Sequence, residues 1–69
     1  MILKIKAERL RRNWSQTTLG YHAKLSASEV SRIESGRTRP YPGQAARLAR
    51  VLGVPPDQLL QPVIPEELR

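Results

Sequence analysis

The stretch 15–36, SQTTLGYHAKLSASEVSRIESG, limits what this 69-residue chain can fold into more than any other. A helix leaves its first amide hydrogens without partners, and a serine at the N-cap accepts one of them. Ser15, followed by Gln16-Thr17-Thr18, opens one such helix. Ser26 opens a second, with Glu29 three residues on completing a capping box: the serine oxygen takes the amide hydrogen of Glu29, and the carboxylate returns to the serine amide. Leu19 and Ala23 share a face of the first helix, and Val30 and Ile33 turn inward from the second. Lys24 falls at the tight turn between them, and Gly36 ends the second. Gly20 inside a helix costs about 1 kcal/mol relative to alanine, which points to a close helix–helix approach that a larger side chain would block.

The flanking segments supply the remaining helices. Residues 3–12 place Leu3, Ala7 and Leu10 on one helical face, continued by Trp14, with Lys4, Lys6, Arg9, Arg11 and Arg12 on the others. Most of these cations are expected to form a solvated face. MILKIK also alternates as a short strand would; a helix beginning within residues 2–5 is the preferred reading. Asn13 suits the left-handed position after a helix. Arg37-Thr38-Arg39-Pro40-Tyr41-Pro42-Gly43 is a loop broken by its prolines and glycine. Pro42 suits the first residue of a fourth helix running to about Leu52, with Ala45, Leu48, Ala49 and Leu52 inward and Gly53 as its stop. A short fifth helix is expected from Pro56 to Leu60, burying Leu59 and part of Leu60. The pattern predicts one all-α domain, a compact bundle of about five short helices, with its core in 3–60 and a C-terminal tail in 61–69.

Charge narrows the function. The chain carries +6 with a pI near 10.9. Residues 1–50 hold eleven basic side chains against Glu8, Glu29 and Glu34, a net +8; residues 51–69 hold Arg69 against Asp57, Glu66 and Glu67, a net −2. A domain this basic suits a polyanionic partner, nucleic acid or anionic lipid; the alternative is that the arginines serve solubility alone. With 4% aromatics and no phenylalanine, the core is left to Leu, Ile, Val and Ala. The absence of cysteine removes disulfides and thiolate metal sites. No apolar run nears the roughly 20 residues a membrane helix needs, and the charges in MILKIKAERL break up any signal sequence, so a soluble, cytoplasmic protein is expected. His22 is the only histidine, on an exposed face near Tyr21, and no nucleophilic triad or metal-ligand cluster is visible. Neither an enzyme nor a metal or cofactor site is expected.

The run WSQTTLGYHAKLSASEVSRIESGRTRP resembles the helix-turn-helix core of the Xre and phage-repressor/Cro family of DNA-binding proteins, a lambda-repressor-like domain. The resemblance rests on Ser15-Gln16, Leu19-Gly20, Ser26 and the specific run Val30-Ser31-Arg32-Ile33-Glu34-Ser35-Gly36. It extends through Leu52-Gly53-Val54 and Asp57-Gln58-Leu59-Leu60, so that it covers about residues 5–60. It implies that the helix of about 27–35 lies in the major groove of double-stranded DNA while the preceding helix crosses the backbone. Carried onto this chain, Ala27, Ser28, Ser31 and Arg32 face base edges, with Ser28 able to serve phosphate as well, Gln16 makes a phosphate or base-edge contact, and Arg37, Thr38, Arg39 and Tyr41 meet the sugar-phosphate backbone. Arginine can grip guanine O6 and N7 together, worth roughly 1–3 kcal/mol of discrimination; the alternative for Arg32 is an ordinary solvated side chain. Glu29 fits a cap better than a cytosine reader, and Glu34, disfavoured by the helix dipole near a C-terminus, is expected to pair with a neighbouring arginine.

Two positions depart from the family. Lys24 stands where glycine is usual, at a positive-φ cost of roughly 1 kcal/mol, and Tyr41 replaces the usual serine cap of the fourth helix. The resemblance implies a transcriptional regulator, usually a repressor, that binds as a homodimer. Val63, Ile64 and Leu68 have no evident place in the core, so the fifth helix and tail form a dimer surface, or the tail is simply a frayed end. The rival is an antitoxin or other protein-interaction module that uses this tail as its hook. A membrane-surface or RNA binder fits less well, for want of an exposed apolar helix face or aromatic stacking platforms.

Overall fold

The caps set where the helices begin. A computed structural model of the chain describes residues 2–64. A two-residue strand β1 (Ile2–Leu3) leads into α1 (Lys4–Arg11), followed by α2 (Gln16–Ala23), α3 (Ala27–Glu34) and α4 (Pro42–Leu52). A single 3₁₀ turn (Pro56–Gln58) and a second short strand β2 (Pro62–Val63) close the order. Ser15 Oγ accepts the Thr18 amide at 3.0 Å, and Ser26 and Glu29 form the reciprocal capping box of α3. Pro42 occupies the first turn of α4, and Gly53 caps its end at φ 68°. Asn13 and Lys24 both take the left-handed conformation, at φ 56° and 60°.

The core joins α1–α4 to the segment after them: Ile5, Leu19, Ala23, Leu25, Val30, Ile33, Leu48, Ala49, Leu52 and Leu59 form one buried cluster, with Trp14 and Ala45 packed against it. Two polar ties lock α4 to its neighbours. Arg47 Nε donates to the Ala23 carbonyl at 2.8 Å, and Arg12 Nη2 donates to the Leu52 carbonyl at 2.8 Å. Both acceptors lie at helix C-termini, where carbonyls lack intrahelical donors and carry the negative end of the dipole.

Several sequence expectations need correction. The described residues hold four α-helices rather than five, because the segment expected as a fifth helix from Pro56 to Leu60 makes only the 3₁₀ turn; three residues of 3₁₀ geometry are enough to turn Leu59 into the core. The domain is also not purely helical. Ile2 pairs with Val63 and Leu3 with Pro62 in an antiparallel ladder. That ladder brings acceptors to the start of α1. The helix has no side-chain cap, and its free amides at Lys4 and Ile5 donate instead to the carbonyls of Gln61 (2.8 Å) and Leu59 (2.9 Å). Val63 is therefore buried rather than free for a partner, while Ile64 stays 54% exposed and Leu68 lies outside the described residues.

In α1 the expected stripe through Leu10 is displaced: Leu10 is exposed, and Ile5 and Arg9 face inward. Arg9 leaves the solvated face because Glu34 waits for it. Its guanidinium grips that carboxylate through Nε (2.7 Å) and Nη2 (3.0 Å), and Nη1 donates to the Trp14 carbonyl at 2.8 Å. Arg11 and Arg12 pair with Glu8.

Candidate nucleic-acid interface

The turn between α2 and α3 is built on backbone contact. The Leu25 amide donates to the Gly20 carbonyl at 2.8 Å, and a Cβ on Gly20 would run into the Leu25 carbonyl oxygen. Glycine is therefore required by the turn itself, not by the approach of another helix. With α2 and α3 so joined, Val30 and Ile33 pin α3 to the core, and the opposite face points outward. Ser28, Ser31 and Arg32 are exposed on it and Ala27 is half-buried at its start.

The C-terminal end of α3 draws the following loop back onto it. The Arg32 carbonyl accepts from Ser35 Oγ at 3.0 Å, the Arg37 amide at 2.9 Å and, more weakly, the Thr38 amide at 3.4 Å. Gly36 permits the reversal at φ 79°. The result is a shallow cleft of about 160 Å³ into which Arg32, Thr38, Arg39 and Tyr41 converge, with Glu29, Ile33 and Gln44 completing its wall. Arg37 is exposed beside it. Among the described residues no carboxylate forms an ion pair with Arg32, Arg37 or Arg39.

Gln16 is placed differently from the other named residues. Its side-chain amide donates from Nε2 to Glu34 Oε1 at 3.1 Å and is half-buried, joined to the Arg9–Glu34 pair at the start of α2. Glu34 pairs with Arg9, which comes from α1 rather than from a neighbouring position, and Glu29 serves as a cap. The Ser26 amide first, and the Ser26 hydroxyl next, hold the Glu29 carboxyl below its ordinary range; Gln44 and Arg32 act in the same direction, and partial desolvation opposes them. His22 stacks on Trp14 with ring centroids 4.7 Å apart and meets Tyr21 edge-on at 5.3 Å.

Two residues escaped the reading of the sequence. Arg9 gave no signal, since its partner lies 25 positions away. Gln44 gave one: it stands three residues after Tyr41, the spacing of a capping box, and its Oε1 accepts the Tyr41 amide at 3.0 Å.

Two short helices set across a fixed turn, the second exposing a small, polar and basic face, define a helix-turn-helix. The model of the family described as "Helix-turn-helix domain" matches residues 3–61, and this chain belongs to that family, a DNA-binding class. No curated protein and no solved structure matches the chain significantly. Among the described residues no helix is long and apolar enough to cross a membrane, and no three His, Cys, Asp or Glu side chains are grouped to hold a metal ion.

Proposed function

We propose that the protein is a sequence-specific double-stranded DNA-binding regulator of transcription in the cytoplasm, a repressor of the Xre and phage-repressor/Cro type. Helix α3 enters the major groove. Arg32 grips a guanine, Ser28 and Ser31 contact neighbouring base edges, and Ala27 offers a methyl contact to thymine. Arg37, Thr38, Arg39 and Tyr41 hold the sugar-phosphate backbone, which positions the helix without reading sequence. Gln16 contributes the hydrogen of its amide that is not given to Glu34. The observation that carries the proposal is the convergence of Arg32 with Thr38, Arg39 and Tyr41 at one cleft. A side chain suited to gripping a base and a set suited to holding phosphate thus share one short stretch of surface.

One arginine supplies roughly 1–3 kcal/mol of discrimination, whereas specific sites exceed non-specific DNA by about 4–10 kcal/mol. Two copies on a pseudo-palindrome, with half-sites about one helical turn apart, make up much of that difference. A homodimer is therefore part of the proposal, with exposed Ile64 and the 3₁₀ turn as its contact surface. Repression follows from occupying a promoter. Selection of bound duplexes from a random pool tests all of this together: the expected product is a two-fold symmetric site with a guanine in each half. Binding with equal affinity to every sequence overturns the specific regulator, and no binding to duplex DNA leaves the protein-interaction reading, a module hooked to a protein partner by its C-terminal tail.

A further inference from the structure

Helix α3 opens with a capping box and α4 with half of one, the Gln44 side chain on the Tyr41 amide, and the two are wired to each other. Glu29 Oε1 accepts the Ser26 amide at 3.0 Å, closing the box of α3. Its other oxygen, Oε2, accepts from Gln44 Nε2 at 3.3 Å. Gln44 Oε1 in turn accepts the Tyr41 amide at 3.0 Å, closing the start of α4. The donor at one end and the carboxylate at the other leave the Gln44 amide a single orientation. One carboxylate therefore ties the first turn of the helix bearing Ala27, Ser28, Ser31 and Arg32 to the segment bearing Thr38, Arg39 and Tyr41. The bridge closes a cleft wall between the two sets.

We infer that Glu29 and Gln44 are positioning residues for DNA recognition: their bridge sets the distance between the base-reading face of α3 and the backbone-holding segment 37–41, so that both engage one duplex in a fixed register. The inference rests on the function proposed above. Glu29 suits this role, because a carboxylate is ionised at neutral pH and accepts at both oxygens. Glu29 also has a cost, since it puts a negative charge into a cleft that faces phosphates.

The chemistry of the bridge permits a swap. Glu29→Gln sets an amide NH₂ against the NH₂ of Gln44, and Gln44→Glu sets two carboxylates together; each single change breaks the bridge. Glu29→Gln with Gln44→Glu restores it in reverse, at the wild-type net charge. The new carboxylate at position 44 then accepts both the Tyr41 amide and the new side-chain amide at position 29. Binding of the full chain is measured on a duplex selected from the random pool and on a scrambled duplex of equal length. Circular dichroism melts fix the folded fraction. The ratio of the two affinities is expected to fall about tenfold in each single variant, with non-specific affinity rising in Glu29→Gln and falling in Gln44→Glu. In the double variant the ratio returns to within about twofold of wild type. Variants that lose melting temperature but keep the ratio reduce both residues to caps and overturn the inference, as does a folded double variant that fails to recover.

A second arm needs no DNA. On acid titration of the free protein, the amide nitrogen shift of Tyr41 is expected to move with that of Ser26. In Gln44→Ala it should stay still while Ser26 still moves. Independent movement of the two amides in the wild type refutes the bridge itself. A wild type with intact coupling but no sequence preference overturns the proposed function, and the positioning role with it.

Discussion

Removing the carboxylate of Glu34 strands a charge. Arg9 and Glu34 are the buried charged residues among those described, with side chains 8% and 3% exposed, and meet in a two-pronged contact of 2.7 and 3.0 Å. Breaking a buried pair by deleting one partner costs about 3–5 kcal/mol, because the remaining ion keeps its desolvation penalty and loses its compensation. A chain of this size has about 3–10 kcal/mol of total stability, so Glu34→Ala removes much or all of it. Replacing both with apolar residues of similar volume, Arg9→Met with Glu34→Leu, behaves differently. It releases two desolvation penalties and sacrifices the hydrogen bonds from Arg9 to the Trp14 carbonyl and from Gln16 to Glu34, each worth about 1 kcal/mol. The double variant is therefore expected within about 2 kcal/mol of wild type, more stable than either single variant. Urea unfolding followed by circular dichroism measures the wild type, Glu34→Ala, Arg9→Met, Glu34→Leu and the double variant. With a slope of about 1 kcal/mol per molar urea, Glu34→Ala shifts the midpoint by about 3 M or unfolds outright. Losses below 1 kcal/mol, or single losses that add in the double, refute the buried-pair account.

Gly20→Ala is expected to destabilise the fold by about 1–3 kcal/mol, although alanine is the better helix former, because its Cβ meets the Leu25 carbonyl; thermal melts check this, and an unchanged or raised Tm contradicts it. The folded-state pKa of Glu29 lies below its ordinary value of 4.5, so its contribution is fully present above that value and lost as pH falls through the lower folded-state one. Urea midpoints measured between neutral and acid pH should fall less steeply in Glu29→Gln than in wild type over that acid window. Arg39→Ala should weaken binding to all duplexes alike and make the salt dependence shallower by about one unit, as read from binding isotherms at several salt concentrations; a loss confined to one sequence would make Arg39 a base reader.

The helix-turn-helix was legible because its signals are local. Ser15, Ser26 with Glu29, Gly36 and Gly53 act within a turn of their own positions, and each stands where its residue type demanded. What escaped was set by pairing across the chain. Arg9 belongs to a solvated face by residue type and is buried only because Glu34 arrives from α3. Val63 looked unplaced because a two-residue ladder with Ile2 has too few residues to show a period. The four cleft residues could be named from the helix-turn-helix resemblance, but their convergence depends on the three hydrogen bonds that the Arg32 carbonyl collects, which no spacing announces.

Arg32 on α3 is proposed to read a guanine in the major groove. This role is tested most directly by replacing each guanine of the selected site in turn with 7-deazaguanine, which lacks the N7 acceptor. Affinities are compared for the wild type and Arg32→Ala. One guanine per half-site should cost the wild type about tenfold, near the low end of the 1–3 kcal/mol range for such a pair, and cost Arg32→Ala nothing. Equal losses in both proteins, or no guanine to which the wild type responds, would contradict it.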